Sequence, residues 1–149
     1  MDARFPRKEL IQCVQAIGAK RSSITLRNWD AERFIREHLR TLPQRSLVYL
    51  DPPYFHKAEG LYFDHYAPGD HERIATVIQN ELHLPWLISY DYTPQVAAFY
   101  KEQGKFTYNL QYSARTVYKG TELVILSHGL RLPETSVLPF INARQPVTC

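Results

Sequence analysis

Four consecutive residues, Asp51-Pro52-Pro53-Tyr54, place a carboxylate, two prolines and an aromatic ring directly after an apolar run. The two prolines restrict φ to about −65° and remove two backbone donors, so the carbonyl of Pro52 is held in a set direction outside any ladder. That carbonyl and the Asp51 carboxylate are both acceptors, which suits a group with two N–H donors. A flat ring bearing such an amine could stack on Tyr54. The tetrapeptide therefore indicates a site for the exocyclic amine of a nucleobase.

An exocyclic base amine is a poor nucleophile, because its lone pair is delocalised into the ring. Two strong acceptors on its hydrogens would favour a pyramidal nitrogen and free the lone pair, and a dry pocket would strengthen both hydrogen bonds. A methyl sulfonium is an electrophile that could receive this lone pair. The alternative is a purely structural role, in which Pro-Pro only ends a strand, as it does in many proteins.

Helix and strand patterns alternate along the chain and set where the tetrapeptide lies. The predicted sheet is a doubly wound α/β sheet with right-handed crossovers and an antiparallel hairpin at its end. In such a sheet, ligands bind outside the carboxyl ends of the strands, where Asp51 and Asp91 are expected. The predicted helices cover residues 5–20, 31–42, 71–82 and 94–103, and the predicted strands cover residues 23–29, 46–51, 85–91, 106–113 and 121–128.

The ends of these elements carry their own signals. Asp30, Asp70 and Thr93 are expected to cap the helices that follow them, and Gly104 is expected to stop the last helix. The four residues Asp64, His65, Asp70 and His71 invite a metal interpretation, but a helix cap and surface histidines explain them equally simply, so no metal site is predicted.

Composition limits the classes of protein that fit this chain. Its 149 residues, 44% hydrophobic and 22% charged, suit one globular core. It has no apolar run of about 20 residues and no signal-peptide pattern, which predicts a soluble, cytoplasmic protein without a membrane partner. Cys13 and Cys149 suggest neither a disulfide framework nor a zinc site. Residues 1–45 carry ten Lys/Arg against five Asp/Glu, a basic balance compatible with a nucleic-acid partner.

Taken with its companion segments, the tetrapeptide resembles the carboxyl-terminal half of Dam-like, D12-class DNA adenine methyltransferases, which use S-adenosylmethionine. The resemblance implies a partial methyltransferase sheet of Rossmann-like type over residues 1–133, followed by an irregular tail at 134–149. The segments that carry it are FPRKELIQCVQAI, ITLRNWDAERFI, LVYLDPPY, GLYFDHYAPGDHERIA, PWLISYD and YSARTVYKGTELVIL.

The resemblance also implies roles for single residues. The catalytic set would be Asp51, Pro52, Pro53 and Tyr54, with Asp51 and the Pro52 carbonyl accepting from the adenine amine and Tyr54 stacking on a base flipped out of the duplex. Asp30 and Asp51 would lie beside the cofactor, although Asp30 is equally good as a helix cap. Residues expected to contact or cover the substrate are Tyr62, His65, Tyr66, Tyr90, Asp91, Arg115 and Lys119; Tyr90 and Asp91 are equally consistent with a strand end.

One departure from the family limits these expectations. The family's glycine-rich turn, which wraps the methionine part of the cofactor, has no counterpart among the six glycines, and most of the target-recognition region is missing. The chain therefore resembles a truncated or split gene product with an exposed sheet edge and apolar face. Its expected partners are double-stranded DNA and either a complementary amino-terminal fragment or a second copy of itself.

Two alternatives to an adenine-specific DNA methyltransferase stay open. The chain could be an inactive remnant that still binds nucleic acid or a partner. It could also methylate another amine, such as cytosine N4, an RNA adenine or a glutamine side chain, because related tetrapeptides serve those enzymes. Asp at position 51 and the flanking segments favour DNA adenine.

Overall fold

The computed structural model describes residues 6–55, 66–113, 117–131 and 145–146, and for residues 110–113, 117–119 and 145–146 it describes the backbone only. The predicted site residues Tyr62, His65 and Arg115 lie outside the described residues, as does the side chain of Lys119. The fold is mixed α/β, as the sequence predicts.

A five-stranded mixed sheet forms the centre of the described structure, in the order β1-β2-β4-β3-β5. Only β1 and β2 are parallel, and every other neighbouring pair is antiparallel. The predicted hairpin at the end of the sheet is confirmed, and its second strand lies between β2 and β3. Two residues of the expected irregular tail form β5. The strands are β1 Val48–Leu50, β2 Trp86–Asp91, β3 Gly104–Ser113, β4 Val117–Leu126 and β5 Gln145–Pro146.

Helices α3 and α4 pack on one face of this sheet. Their buried apolar side chains belong to one cluster with Ile88 and Tyr90 of β2 and with Leu123 and Ile125 of β4. These strand residues alternate along their strands, as expected when one face is covered. The helices are α1 Arg7–Ala19, α2 Ala31–Arg33, α3 Pro68–Glu81 and α4 Pro94–Phe99.

A π-helical segment, Phe34–His38, continues α2 and carries Ile35 into the core. Ion pairs fasten this region to α3. Glu32 accepts from both Arg36 and Arg73, so one carboxylate joins the two helical layers. The π-helical segment and α3 are thereby held as the two walls beside β1.

Two capping predictions are confirmed. The Asp30 carboxylate accepts from the backbone N–H of Arg33 at 3.1 Å, and the Thr93 hydroxyl accepts from that of Val96 at 3.1 Å. The prediction for Asp70 is wrong: α3 begins at Pro68, and the Asp70 side chain reaches back to accept from the N–H of Ala67 at 2.8 Å. The Pro at the first helical position allows this earlier start, because its missing N–H would have no partner there anyway.

The largest error of the sequence prediction is the strand at residues 23–29. The structure has a 3-10 turn at Arg21–Ser23 and then no regular structure from 24 to 30. A strand needs a neighbour to pair its backbone groups, and none of the described strands runs beside this segment. Its composition is that of a strand, but the described part of the sheet ends at β1.

Smaller differences concern helix lengths and burial. Helix α4 ends at Phe99, and Gly104, expected to stop it, begins β3. Helix α1 forms as predicted but buries none of its residues. None of the described helices is long and apolar enough to cross a membrane.

Candidate functional site

The tetrapeptide lies where the sequence predicts it, at the carboxyl end of the parallel strand pair. Leu50 of β1 is in register with Ile88 of β2, so Asp51 follows β1 beside the last residues of β2. Asp51 is exposed, and Pro52, Pro53 and Tyr54 are half-buried. The two prolines stop the ladder, which leaves the Asp51 side chain at the edge of the sheet.

A hydrogen-bond chain orients the Asp51 carboxylate. The hydroxyl of Ser89 donates to Asp51 Oδ1 at 3.0 Å, and the hydroxyl of Tyr49 lies 2.7 Å from the same Ser89 oxygen. Since Ser89 has one hydroxyl hydrogen and gives it to Asp51, Tyr49 is the donor of the second bond. Asp51 Oδ2 has no hydrogen-bond partner in the part of the chain that the structure describes.

Ser89 was not anticipated from the sequence. It lies inside a strand with no local motif around it, and only the register between β1 and β2 brings its hydroxyl to Asp51. Tyr49 was missed for the same reason. Both are on the sheet face opposite the helices, since their strand neighbours Val48 and Ile88 belong to the helix-covered core.

Asp91 supports the backbone that follows the tetrapeptide. Its Oδ1 accepts from the backbone N–H of Phe55 at 2.8 Å, and the residue is buried. This bond fixes the chain one residue beyond Tyr54. Asp91 therefore holds the backbone of the loop at Phe55, the residue after Tyr54.

Tyr90, also expected near the substrate, points into the core. It is buried, and its hydroxyl lies 3.1 Å from Nδ1 of His71. Burial raises the pKa of Tyr90 well above its ordinary value. The ring therefore contributes to the core beneath the loop and presents no group to a ligand.

His71 is the residue that sequence reasoning misplaced most clearly. It was expected at the surface, but in α3 it is 1% exposed. The rings of Phe55 and Tyr66 contact it, with centroids 5.1 and 5.2 Å from that of His71. Burial lowers the pKa of His71, against the opposing effect of the Asp91 and Asp70 carboxylates.

A cavity of about 330 Å³ runs along β1, between the π-helical segment and α3. Most of its lining residues are apolar, and the exceptions are Asp51, Tyr49 and Tyr66. The lining residues are Ala31, Phe34, Ile35, Leu39, Val48, Tyr49, Leu50, Asp51, Pro52, Pro53, Tyr66, Ile74 and Ile78. The cavity suits flat or branched apolar groups.

The cavity does not fit S-adenosylmethionine as a whole. The amino-acid end of that molecule carries a carboxylate that needs cationic or N–H donors, and no lining residue has a cationic side chain. Asp30 is not among the lining residues, and its carboxylate is used to cap α2. The lining of this cavity therefore provides an acceptor for an amine but no cationic side chain for the cofactor's charged end.

The structure does not test the remaining predicted site residues. Tyr62, His65, Arg115 and the Lys119 side chain fall outside the described residues. Within the described ranges, no group of three or more His, Cys, Asp or Glu side chains is placed to hold a metal ion.

No protein-family model matches this chain. A search of curated proteins finds no match either.

Proposed function

We propose that this chain carries the catalytic loop of a DNA methyltransferase that transfers a methyl group from S-adenosylmethionine to N6 of adenine. The observation that supports this most is the Asp51 carboxylate at the end of a parallel strand pair. One of its oxygens is oriented by Ser89, and the other has no partner among the described residues. The rigid carbonyl of Pro52 follows immediately.

The chemistry required of these residues is modest. Asp51 Oδ2 and the Pro52 carbonyl each accept a hydrogen bond from the adenine amine, which frees the nitrogen lone pair for attack. S-adenosylmethionine, when bound, supplies the electrophilic methyl group. The Ser89 bond keeps the carboxylate from rotating, so its second oxygen faces the amine at no entropic cost during the reaction. Tyr54 stacks on the ring that carries the amine.

Two further features are consistent with DNA as the substrate. The amine is accessible only when the base is flipped out of the duplex, and an exposed strand-end carboxylate can receive such a base. The basic first 45 residues, with ten Lys/Arg against five Asp/Glu, would attract phosphates. All the Lys and Arg side chains of α1 are exposed.

The charged end of the cofactor needs donors that the side chains lining the cavity do not provide. We propose that a complementary polypeptide segment supplies them, because neither the cavity nor Asp30 provides the donors. The second candidate function follows from the same observation: the chain binds nucleic acid or a partner without catalysing transfer.

One experiment separates these functions. Binding of S-adenosylmethionine to the purified chain is titrated by calorimetry, and tritiated methyl transfer is then measured on unmethylated double-stranded DNA. Single-stranded DNA, RNA and DNA with cytosine as the sole methylatable base complete the substrate panel. Transfer to adenine in DNA, lost in Asp51→Asn and retained in Glu72→Gln, is the expected result; Glu72 is an exposed carboxylate on α3 and serves as the matched control.

Each other outcome is informative. DNA binding without cofactor binding supports the non-catalytic candidate. Transfer to cytosine or to RNA would mean that adenine in DNA is not the substrate, and Asp51 would remain the proposed acceptor. Full transfer by Asp51→Asn would refute the assignment of the catalytic residue.

A further inference from the structure

The outer edge of β1 presents backbone groups ready to pair. The Val48 N–H donates to the carbonyl of Pro85 at 2.9 Å, so Val48 is directed toward β2. Because consecutive strand residues point their backbone groups to alternate sides, Tyr49 directs its N–H and C=O away from β2. By the same alternation, the backbone N–H and C=O groups of Leu47 and Asp51 also point away from β2.

The strand β1 is short, with three residues, but its outer edge carries neither of two other features that usually prevent strand addition, charge and proline. Residues 46–50, Ser-Leu-Val-Tyr-Leu, contain no charge and no proline. The side chains of Leu47 and Tyr49 are 57% and 59% exposed. The apolar cavity described above opens along the same strand, since Val48, Tyr49 and Leu50 all line it.

The chain also holds a strand-like segment without a sheet. In residues 24–29, Ile-Thr-Leu-Arg-Asn-Trp, apolar and polar side chains alternate from Ile24 to Arg27. Ile24 already has extended backbone angles, φ −114° and ψ 126°. Ile24 and Leu26, which share one side of the segment, are 53% and 88% exposed, whereas Thr25 and Arg27 lie on the other side.

These two features complement each other. The β1 edge has no neighbour among the described strands and lies beside an apolar cavity, so it can accept a strand with branched apolar side chains on one side. Residues 24–29 provide Ile24 and Leu26 on one side. The charges of the two features are also opposite. Arg21 and Arg27 are basic, and Asp51 at the end of the β1 edge is acidic.

The same chain does not make this pairing, and its structure gives a reason. The Trp29 ring packs on Phe34 and His38, with centroids 6.3 and 6.2 Å apart, and Asp30 caps α2 immediately afterwards. The carboxyl end of the segment is therefore held against the π-helical segment, and residues 24–29 form no described strand beside β1.

We propose that residues 24–29 of a second copy of this chain pair with the outer edge of β1 and place Ile24 and Leu26 in the cavity. The contact is reciprocal, so two identical contacts form about a two-fold axis, as in other isologous dimers. The dimer does not depend on methyl transfer, and its test uses mass and exchange rather than activity.

The test is sedimentation velocity over a range of concentrations on the full 149-residue chain. A species of twice the 17.4 kDa chain mass is expected to accumulate with concentration. Leu26→Lys should raise the dimer dissociation constant by about tenfold or more, because it removes a buried leucine side chain from each contact. Thr25→Lys adds the same charge on the opposite side of the segment and should change the constant by less than about threefold.

Two further variants identify the edge and exclude the other exposed apolar surface. Tyr49→Pro removes the outward N–H and should weaken the dimer, since that N–H makes no bond to β2. Val14→Lys changes the exposed apolar stripe of α1 and should leave the dimer intact. Circular dichroism confirms that each variant is folded before its mass is interpreted.

Amide exchange gives an independent readout. Peptides that contain Tyr49 and peptides that contain Leu26 should both exchange more slowly as concentration rises, and Leu26→Lys should abolish both effects. Four results would overturn the proposal: a monomer at every concentration, equal weakening by Leu26→Lys and Thr25→Lys, dissociation by Val14→Lys alone, or protection of Tyr49 in the monomer, which would mean pairing within one chain.

Discussion

The buried histidine of α3 makes the stability of this protein depend on pH in a way that can be calculated in advance. His71 is 1% exposed and contacts the rings of Phe55 and Tyr66. Burial disfavours the imidazolium and lowers the pKa of His71, even though the carboxylates of Asp91 and Asp70 act in the opposite direction. The folded state therefore holds this side chain neutral at a pH where the unfolded chain has begun to protonate it.

The sign and size of the effect follow from proton linkage. In the unfolded chain a histidine titrates near pH 6.5, roughly, so below that pH the unfolded state binds a proton that the folded state does not. The free energy of unfolding must then fall as the pH decreases through the unfolded pKa toward the lowered folded pKa. One proton contributes at most about 1.4 kcal/mol per pH unit, which limits the loss between about pH 7.5 and 5.5 to about 1.4 kcal/mol.

Urea unfolding at intervals across this pH range measures the effect directly. In His71→Asn, the loss of stability on acidification should be smaller than in the native chain by up to about 1.4 kcal/mol. The variant is expected to be less stable at every pH, because ring contacts are lost, so the pH dependence and not the absolute value is compared. His83→Asn, at an exposed histidine, is the matched control and should keep the native pH dependence. Identical pH profiles for His71→Asn and the native chain would refute the reasoning.

Three other substitutions test the core and the loop. Tyr100→Phe should leave the free energy of unfolding unchanged or raise it by up to about 1 kcal/mol, because the buried Tyr100 hydroxyl has no partner among the described residues; a clear loss in urea unfolding would contradict this. Asp91→Ala should cost about 1–3 kcal/mol in the same assay, because it strands the backbone N–H of Phe55, and Asp91→Asn should recover most of the loss by keeping an acceptor oxygen. Ser89→Ala should reduce any methyl transfer by about tenfold while leaving the circular dichroism spectrum unchanged, since it releases Asp51 from one fixed orientation; unaltered transfer would argue against the orienting role.

Local sequence patterns were sufficient for much of the fold. The apolar runs that became β1 and β2, the hairpin of β3 and β4, and the caps at Asp30 and Thr93 depend on residues close together in the chain. The placement of Asp51 also followed from local signals, because proline ends a strand and the carboxyl ends of parallel strands share an edge.

Other features depended on which elements meet in space. Residues 24–29 have a strand composition but no described strand beside them, and a strand pattern cannot state whether a neighbour exists. Because α3 starts at Pro68, Asp70 is not the residue before the helix. Its side chain instead accepts from the backbone N–H of Ala67. A shift of a few residues at a helix end is decided by weak local terms that tertiary packing easily outweighs.

The sequence by itself determined the chemical content of the candidate site: an acceptor carboxylate, a rigid carbonyl and an aromatic ring in consecutive positions, 51 to 54. The tertiary structure decided what surrounds them. The register of β1 against β2 brought Ser89 to Asp51, and the packing of α3 buried His71 against Tyr90. Composition and spacing specify which groups a segment offers, whereas contacts between residues 19 or 38 positions apart exist only once strands and helices have packed.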